Sequence, residues 1–336
     1  MFKKAKQRVA YFLFALVFVF SACTSNTDNK IGILLHDMEG RWYTDIEYLK
    51  KHAADAGVEL VIKIAGGNEN LQLEQASQIV DEGIGVLIVI PVNQNSAAGI
   101  VRTAHDANLK VIAYDRIILN SDLDYLITYE YADLGANLAQ YAHNKVPKGN
   151  YVMLWGDASD NNARLMQAGE EAFLKPYIDR GDINVMYRTF VESWDEKNAE
   201  HALQRTLDFN DEPIDVILAS NDNIAQAVVR VFDRNGLAYP KVITGQDATI
   251  DACRSIMRDE QTMSIYKSTN MMAKEAIDLA VAIMKNERVA KSMGTFYNNR
   301  KDVATLYLEQ IIIDKTNLLD EIVSDGMYTR EEIMGD

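Results

Sequence analysis

Carboxylates, amides, basic groups and two tryptophans recur just after a series of short apolar runs in this chain. They are Asp37, Arg41, Trp42 and Asp45; Pro91 and Asn93; Tyr114, Asp115 and Arg116; Asp157, Asp160, Asn161 and Asn162; Trp194; Asn221 and Asp222; Gln246 and Asp247; Tyr266 and Lys267. Asp and Asn accept from hydroxyl groups, Arg and Lys donate, and a planar guanidinium grips two oxygens at once. Trp rings cover C–H faces and tolerate polar edges. A set of this kind suits a neutral monosaccharide. Its buried groups, if left unpaired, each cost about 1–3 kcal/mol, so such a site separates epimers and not only sizes. The set contains no nucleophile–base pair and no metal cluster, so an enzyme acting on sugar is disfavoured and no cofactor is expected. Paired carboxylates of the glycosidase type would be the remaining route to catalysis.

Each residue also has a plain structural reading. Asp160 and Asp222 stand where they could cap the next helix. Arg116 could pair with Asp115, and Trp42 could pack into the core from a helix start. Trp155 suits core or lobe packing. On spacing alone, Asp45 and Lys267 are the weakest polar members. The recurrence of the set at successive strand ends favours recognition over these single readings.

The elements that must position these groups follow from the periodicity. Apolar runs predict strands at 31–35, 59–64, 86–90 and 110–114, then again at 151–155, 184–189 and 216–219. Helical patterns lie between them, at 42–56, 71–82, 96–108, 162–178, 196–210 and 224–235. Near-continuous Val/Ile/Leu strands alternating with helices predict parallel sheets covered on both faces. Two such series predict an α/β chain of two lobes, with 125–129 as a crossing strand. A long helix over 271–285 and a strand over 306–313 then return. The expected division is 30–128 plus about 268–302 for the first lobe, and about 129–267 plus 303–336 for the second. In open parallel sheets ligands bind beyond the carboxyl ends of the strands, where the polar set falls.

The N-terminus reads as an export signal. Lys3, Lys4, Lys6 and Arg8 precede the apolar run Tyr11 to Phe20, and Ser21 and Ala22 lead to Cys23. The layout resembles a bacterial lipoprotein signal over 1–22, with Cys23 acylated as the new terminus and 24–29 a polar tether. The expected location is extracytoplasmic, lipid-anchored to a membrane. About 310 residues follow, enough for two domains. The formal charge of −15 gives no electrostatic help toward nucleic acid or anionic lipid. With Cys23 acylated, Cys253 has no disulfide partner and reads as a small buried hydrophobe.

Several segments together resemble the periplasmic sugar-binding proteins of ABC transporters, in the branch of ribose- and galactose-binding proteins and nearest the D-xylose-binding members. They include Arg41-Trp42, the run Ala65-Gly66-Gly67-Asn68-Glu69, Ile90-Pro91-Val92-Asn93, Ala113-Tyr114-Asp115-Arg116, Asp160-Asn161-Asn162-Ala163, Ala219-Ser220-Asn221-Asp222, Gly245-Gln246-Asp247-Ala248 and Tyr266-Lys267. The resemblance spans about residues 30–330. It implies two Rossmann-like lobes, a type I binding-protein fold, three crossing segments and hinge closure on ligand in the interlobe cleft. It implies sugar contacts from Arg41, Trp42, Asp115, Arg116, Asn162, Trp194, Asn221, Asp247 and Lys267, with Trp42 and Trp194 sandwiching the ring. Asn161 is a near-equal substitute for Asn162. The implied ligand is D-xylose or a related pentose, handed by a monomer to an ABC permease. The alternative is a sensor that shows its closed form to a membrane kinase.

Overall fold

The computed structural model describes residues 29–287 and 293–335. The export signal, Cys23 and the first five tether residues lie outside the described residues.

The first lobe is a doubly wound series. Strand β1 (Lys30–Leu35) leads to helix α1 (Trp42–Asp55), β2 (Glu59–Ile64) to α2 (Glu69–Val80), β3 (Val86–Val89) to α3 (Ala98–Asp106), and β4 (Lys110–Tyr114) to β5 (Tyr125–Tyr129). The second lobe repeats the rhythm with α4 (Tyr131–Lys145), β6 (Gly149–Trp155), α5 (Asn161–Asp179), β7 (Ile183–Phe190), α6 (Glu196–Phe209), β8 (Val216–Ala219), α7 (Asp222–Asn235), β9 (Val242–Ile243), α8 (Ile250–Met257) and β10 (Met263–Tyr266). Then come α9 (Thr269–Met284), β11 (Gly294–Tyr297), β12 (Asp302–Leu308), β13 (Ile311–Asp314), α10 (Leu318–Ser324) and α11 (Arg330–Met334).

The first sheet has the order β11-β12-β5-β4-β3-β1-β2 and is parallel apart from the β11–β12 hairpin. The second has the order β7-β6-β8-β9, all parallel. An isolated Gln246–Ile265 bridge attaches the antiparallel pair β10-β13 to it. The central strands β3 and β8 are buried at every residue, as runs of Val, Ile, Leu and Ala under helices on both faces require. The result is an α/β architecture of two lobes, each built on a largely parallel sheet, as the alternation of strand and helix predicts.

The returning segment differs from its expectation. One strand over 306–313 is instead two, β12 and β13, separated by Glu309 and Gln310. Strand β12 pairs in parallel with β5, so 303–308 belongs to the first sheet rather than to the second lobe. The crossing therefore falls at Glu309–Gln310. Its cause is register: Ala304 to Leu308 pair one-to-one with Tyr125 to Tyr129. The other two passages are Glu130, between β5 and α4, and Lys267–Ser268, between β10 and α9.

Helix α5, which starts at the cleft, is clamped to α4. A Cβ on Gly169 would lie 1.9 Å from the Ala132 carbonyl oxygen, so only glycine permits this approach. Cys253 is fully buried, as its helical pattern predicts.

Candidate functional site

The cleft is built from strand ends that turn directly into capped helix starts. Asp160 accepts from Asn162 N at 2.9 Å, Asn221 from Ile224 N at 2.9 Å, and Ser268 from Met271 N at 3.0 Å. Asp195, just after Trp194, accepts from Lys197 N at 2.7 Å. Each cap satisfies otherwise orphaned helix donors and sets the direction of the side chains beside it.

One cleft of about 700 Å³ between the lobes is lined by Arg41, Trp42, Asp115, Arg116, Asn162, Trp194, Asn221, Asp247 and Lys267. Asn161 also lines it, but Asn162 is the more buried of the pair and donates to the Asp115 carbonyl at 3.2 Å. The structure leaves some of the strand-end set outside. Asn93 shapes a turn by accepting from Asn95 N and Ser96 N. Asp45 sits behind Arg41, 3.5 Å from its Nε, and accepts from the Tyr114 hydroxyl. Asn221, not Asp222, caps α7. Asp222 is instead a buried hub, accepting from Gln261 Nε2 at 2.9 Å, Ser264 Oγ at 2.8 Å and Thr249 N at 2.8 Å. Trp155 packs in the second lobe and donates to Glu170 at 2.8 Å.

A chain of charges and one phenol runs through the cleft floor. Arg41 Nη2 donates to Asp115 Oδ2 at 2.8 Å, and its Nη1 lies 3.7 Å from Asp247 Oδ1. Lys267 Nζ lies 3.1 Å from the same Asp247 oxygen, though without the alignment of a hydrogen bond. Lys267 also donates to the Tyr131 hydroxyl at 2.9 Å, and Tyr131 donates to Asp115 Oδ1 at 2.5 Å. Tyr131 was not legible as a site residue. It follows a crossing strand and opens a helix, which reads as core packing. Its place immediately after a lobe crossing was the one available signal.

Burial alone would push the Asp115 carboxyl up. Arg41, Lys267, the Tyr131 hydroxyl and Arg116 outweigh burial and hold it below the ordinary carboxylate range. Burial pushes Asp45 up to about 6 despite Arg41. Burial, then Asp247, pushes Asp222 up to about 7. His36, on the cleft wall, is held well below its usual range by burial, Arg116 and Arg41.

Four non-glycine cleft residues adopt positive φ: Asp115 at 65°, Ser193 at 56°, Trp194 at 56° and Asp247 at 99°. Such geometry costs on the order of 1–3 kcal/mol per residue and persists where the surroundings enforce it. At Asp115 the enforcement is visible: its carbonyl accepts from both Thr128 Oγ1 at 2.8 Å and Asn162 Nδ2. Trp194 is half-buried and lies on Gly156, where a Cβ would sit 2.1 Å from the indole. Trp42 is 7% exposed; it joins the first-lobe core and also lines the cleft, with the Arg41 guanidinium 4.5 Å from its ring centre. Buried Trp194 Nε1 and Gln246 Oε1 have no hydrogen-bond partner among the described residues. Among those residues no group of three His, Cys, Asp or Glu side chains could hold a metal ion. The cleft offers donors and acceptors of both signs and an aromatic face on each lobe, and at its floor Arg41 and Lys267 stand against Asp115 and Asp247. That balance suits an uncharged, hydroxyl-rich ligand.

A family profile described as the periplasmic binding protein domain matches residues 31–288. The D-xylose-binding periplasmic protein of Escherichia coli (strain K12) is 33% identical over 305 residues, covering 90% of this chain and 92% of that protein. A solved ABC transporter solute-binding protein from Clostridium phytofermentans, with bound β-D-glucose, superposes with a TM-score of 0.84 at 25% identity, covering 91% of this chain and 100% of that one. A carbohydrate transporter solute-binding protein from Chloroflexus aurantiacus, in complex with D-glucose, does so with a TM-score of 0.84 at 27% identity, covering 90% and 98%.

Proposed function

The chain belongs to the periplasmic binding protein family, and on that premise we propose that it captures a monosaccharide, D-xylose or a related pentose, and delivers it to an ABC transporter. Like its relatives it is a solute-binding protein rather than an enzyme, and it works outside the cytoplasm. The observation that carries the sugar reading is the convergence of Arg41, Asp115, Asn162, Asp247 and Lys267 on one interlobe cleft walled by Trp42 and Trp194. The similarity to a D-xylose-binding protein along nearly the whole chain supports the pentose.

In this reading Trp42 and Trp194 cover the C–H faces of the sugar ring. Asp115 and Arg116 read hydroxyls from the first lobe. Asn162, Asn221 and Asp247 read them from the second. Arg41 and Lys267 bridge the two sets. Sugar contacts from both lobes are made together only when the lobes close, so ligand favours the closed form, and that form is the one a permease recognises. Acylation of Cys23 then keeps the binder on a short tether beside its membrane partner.

Calorimetry of the purified protein against D-xylose, L-arabinose, D-ribose and D-glucose tests the ligand. Heat with D-xylose at the highest affinity is expected, and no heat with any of the four sinks the reading. Cys23→Ala tests the anchor. The variant is expected in the soluble fraction with sugar binding intact, and its retention on membranes excludes lipidation there.

A further inference from the structure

We propose that Tyr131 is a positioning residue for sugar selection, its hydroxyl fixing the direction in which the Asp115 carboxylate accepts from the ligand; this rests on the sugar-binding reading above. Tyr131 is the first residue of α4, directly after the Glu130 crossing, and Lys267 stands at the next crossing. Two passages between the lobes therefore meet at one buried phenol, which is 3% exposed.

The direction of its proton follows from its partners. An ammonium can only donate, so the phenol accepts from Lys267 Nζ at 2.9 Å. An ionised carboxylate can only accept, so the one phenolic proton goes to Asp115 Oδ1 at 2.5 Å. Asp115 Oδ2 is taken by Arg41 Nη2 at 2.8 Å. Arg41 and Lys267 both face Asp247 Oδ1, at 3.7 and 3.1 Å. The five residues close a ring with two positive and two negative charges, so an uncharged ligand enters without disturbing its balance.

With one site on each Asp115 oxygen occupied, about one lone pair per oxygen remains for sugar hydroxyls. The backbone of Asp115 is held by the bonds from Thr128 and Asn162 to its carbonyl. The carboxylate's remaining freedom is its broad terminal torsion, which the Tyr131 and Arg41 bonds restrict. Without the phenolic hydroxyl, Oδ1 gains a free site and Lys267 a free proton. The carboxylate then turns and accepts hydroxyls from more than one direction, so epimers become harder to tell apart.

Tyr131→Phe keeps the ring, which packs edge-on to Tyr129 at 6.4 Å between centroids, and removes only the hydroxyl. Calorimetry with D-xylose, L-arabinose and D-ribose is expected to show about tenfold weaker D-xylose binding and a smaller spread among the three sugars. The sugar-induced change in tryptophan fluorescence should persist at saturation, since Trp42 and Trp194 are untouched. Genetic replacement of Tyr131 by 4-aminophenylalanine, which keeps a donor at the same place, is the rescue arm and should restore the spread. It also stands in should the phenylalanine variant fail to fold: a rescue variant with wild-type selectivity supports the role, and one with equally weakened binding of all three sugars overturns it. Wild-type binding with an unchanged spread in Tyr131→Phe overturns the role of Tyr131 alone. Wild-type silence with every sugar overturns both this proposal and the sugar reading.

Discussion

Arg116 Nε, from the end of the first-lobe strand β4, lies 3.1 Å from Asp160 Oδ2, the cap of second-lobe helix α5, so one ion pair ties the two lobes together at the cleft. Both side chains are largely shielded, at 17% and 7% exposure. A pair of this kind is made only when the lobes are close, and it adds to the closed state before any ligand arrives.

Asp160→Asn should therefore shift the unliganded protein toward the open form. Asn caps helices as well as Asp, so α5 keeps its start. Losing the charge from this ion pair should cost about 1 kcal/mol, which moves the open–closed ratio about fivefold. Small-angle scattering of the sugar-free protein should show a larger radius of gyration. An unchanged radius means that Arg116–Asp160 does not hold the lobes.

Gly156→Ala tests the seat of Trp194. A Cβ there would lie 2.1 Å from the indole, so the ring must leave its place. Loss of one aromatic platform should weaken sugar binding about threefold to tenfold. The melting temperature of the unliganded protein should change little, because the displaced ring is half-buried at the cleft. Wild-type affinity in this variant removes Trp194 from the site.

Arg41→Lys separates charge from geometry. The guanidinium reaches Asp115, Asp247 and Asp45 from one buried position, with contacts of 2.8, 3.7 and 3.5 Å. An ammonium has no planar fork and cannot span all three. Affinity for the sugar should fall about a hundredfold although the net charge is unchanged. A loss below threefold shows that charge alone suffices at this position.

Glu170 gives a pH signature in the second lobe. It is fully buried, and burial pushes its carboxyl up to about 8, although the Trp155 N–H bond opposes the shift. In the unfolded chain the same group titrates near 4.3. Between these values the folded state holds a proton that the unfolded state has released, so stability falls as pH rises. The decline is about 1.4 kcal/mol per pH unit from this residue. Glu170→Gln mimics the protonated acid and still accepts from Trp155. Its melting temperature should gain steadily on the wild type from pH 5 to pH 8, and parallel curves would count against a buried neutral acid.

The site was legible to the extent that it depends on strand ends. Arg41, Asp115, Asn221 and Asp247 all follow buried apolar runs, and a parallel sheet points every such end toward the same side. Side-chain partnerships across the lobes were not legible in the same way. Arg116 pairs with Asp160, not with its neighbour Asp115. Asp222 looked like a helix cap and is a buried acceptor for three donors, because Asn221 one residue earlier takes the cap. The return segment read as a single strand because Leu306 to Ile313 is almost unbroken in apolar and β-branched residues. Only pairing with β5 on one side and β10 on the other shows where it divides.

By itself the sequence determined two α/β lobes, their alternation of strand and helix, and a set of sugar-suited groups at the strand ends. These are properties of period and residue type, which are local. The tertiary structure alone decided that Tyr131, Lys267, Asp115, Arg41 and Asp247 close into one ring. The chain brings them together from five different segments, and a contact of about 3 Å between residues separated by up to 136 positions leaves no trace in local pattern. What joins them is the passage of the chain between the lobes beside Tyr131 and at Lys267, where the crossing segments line the candidate site.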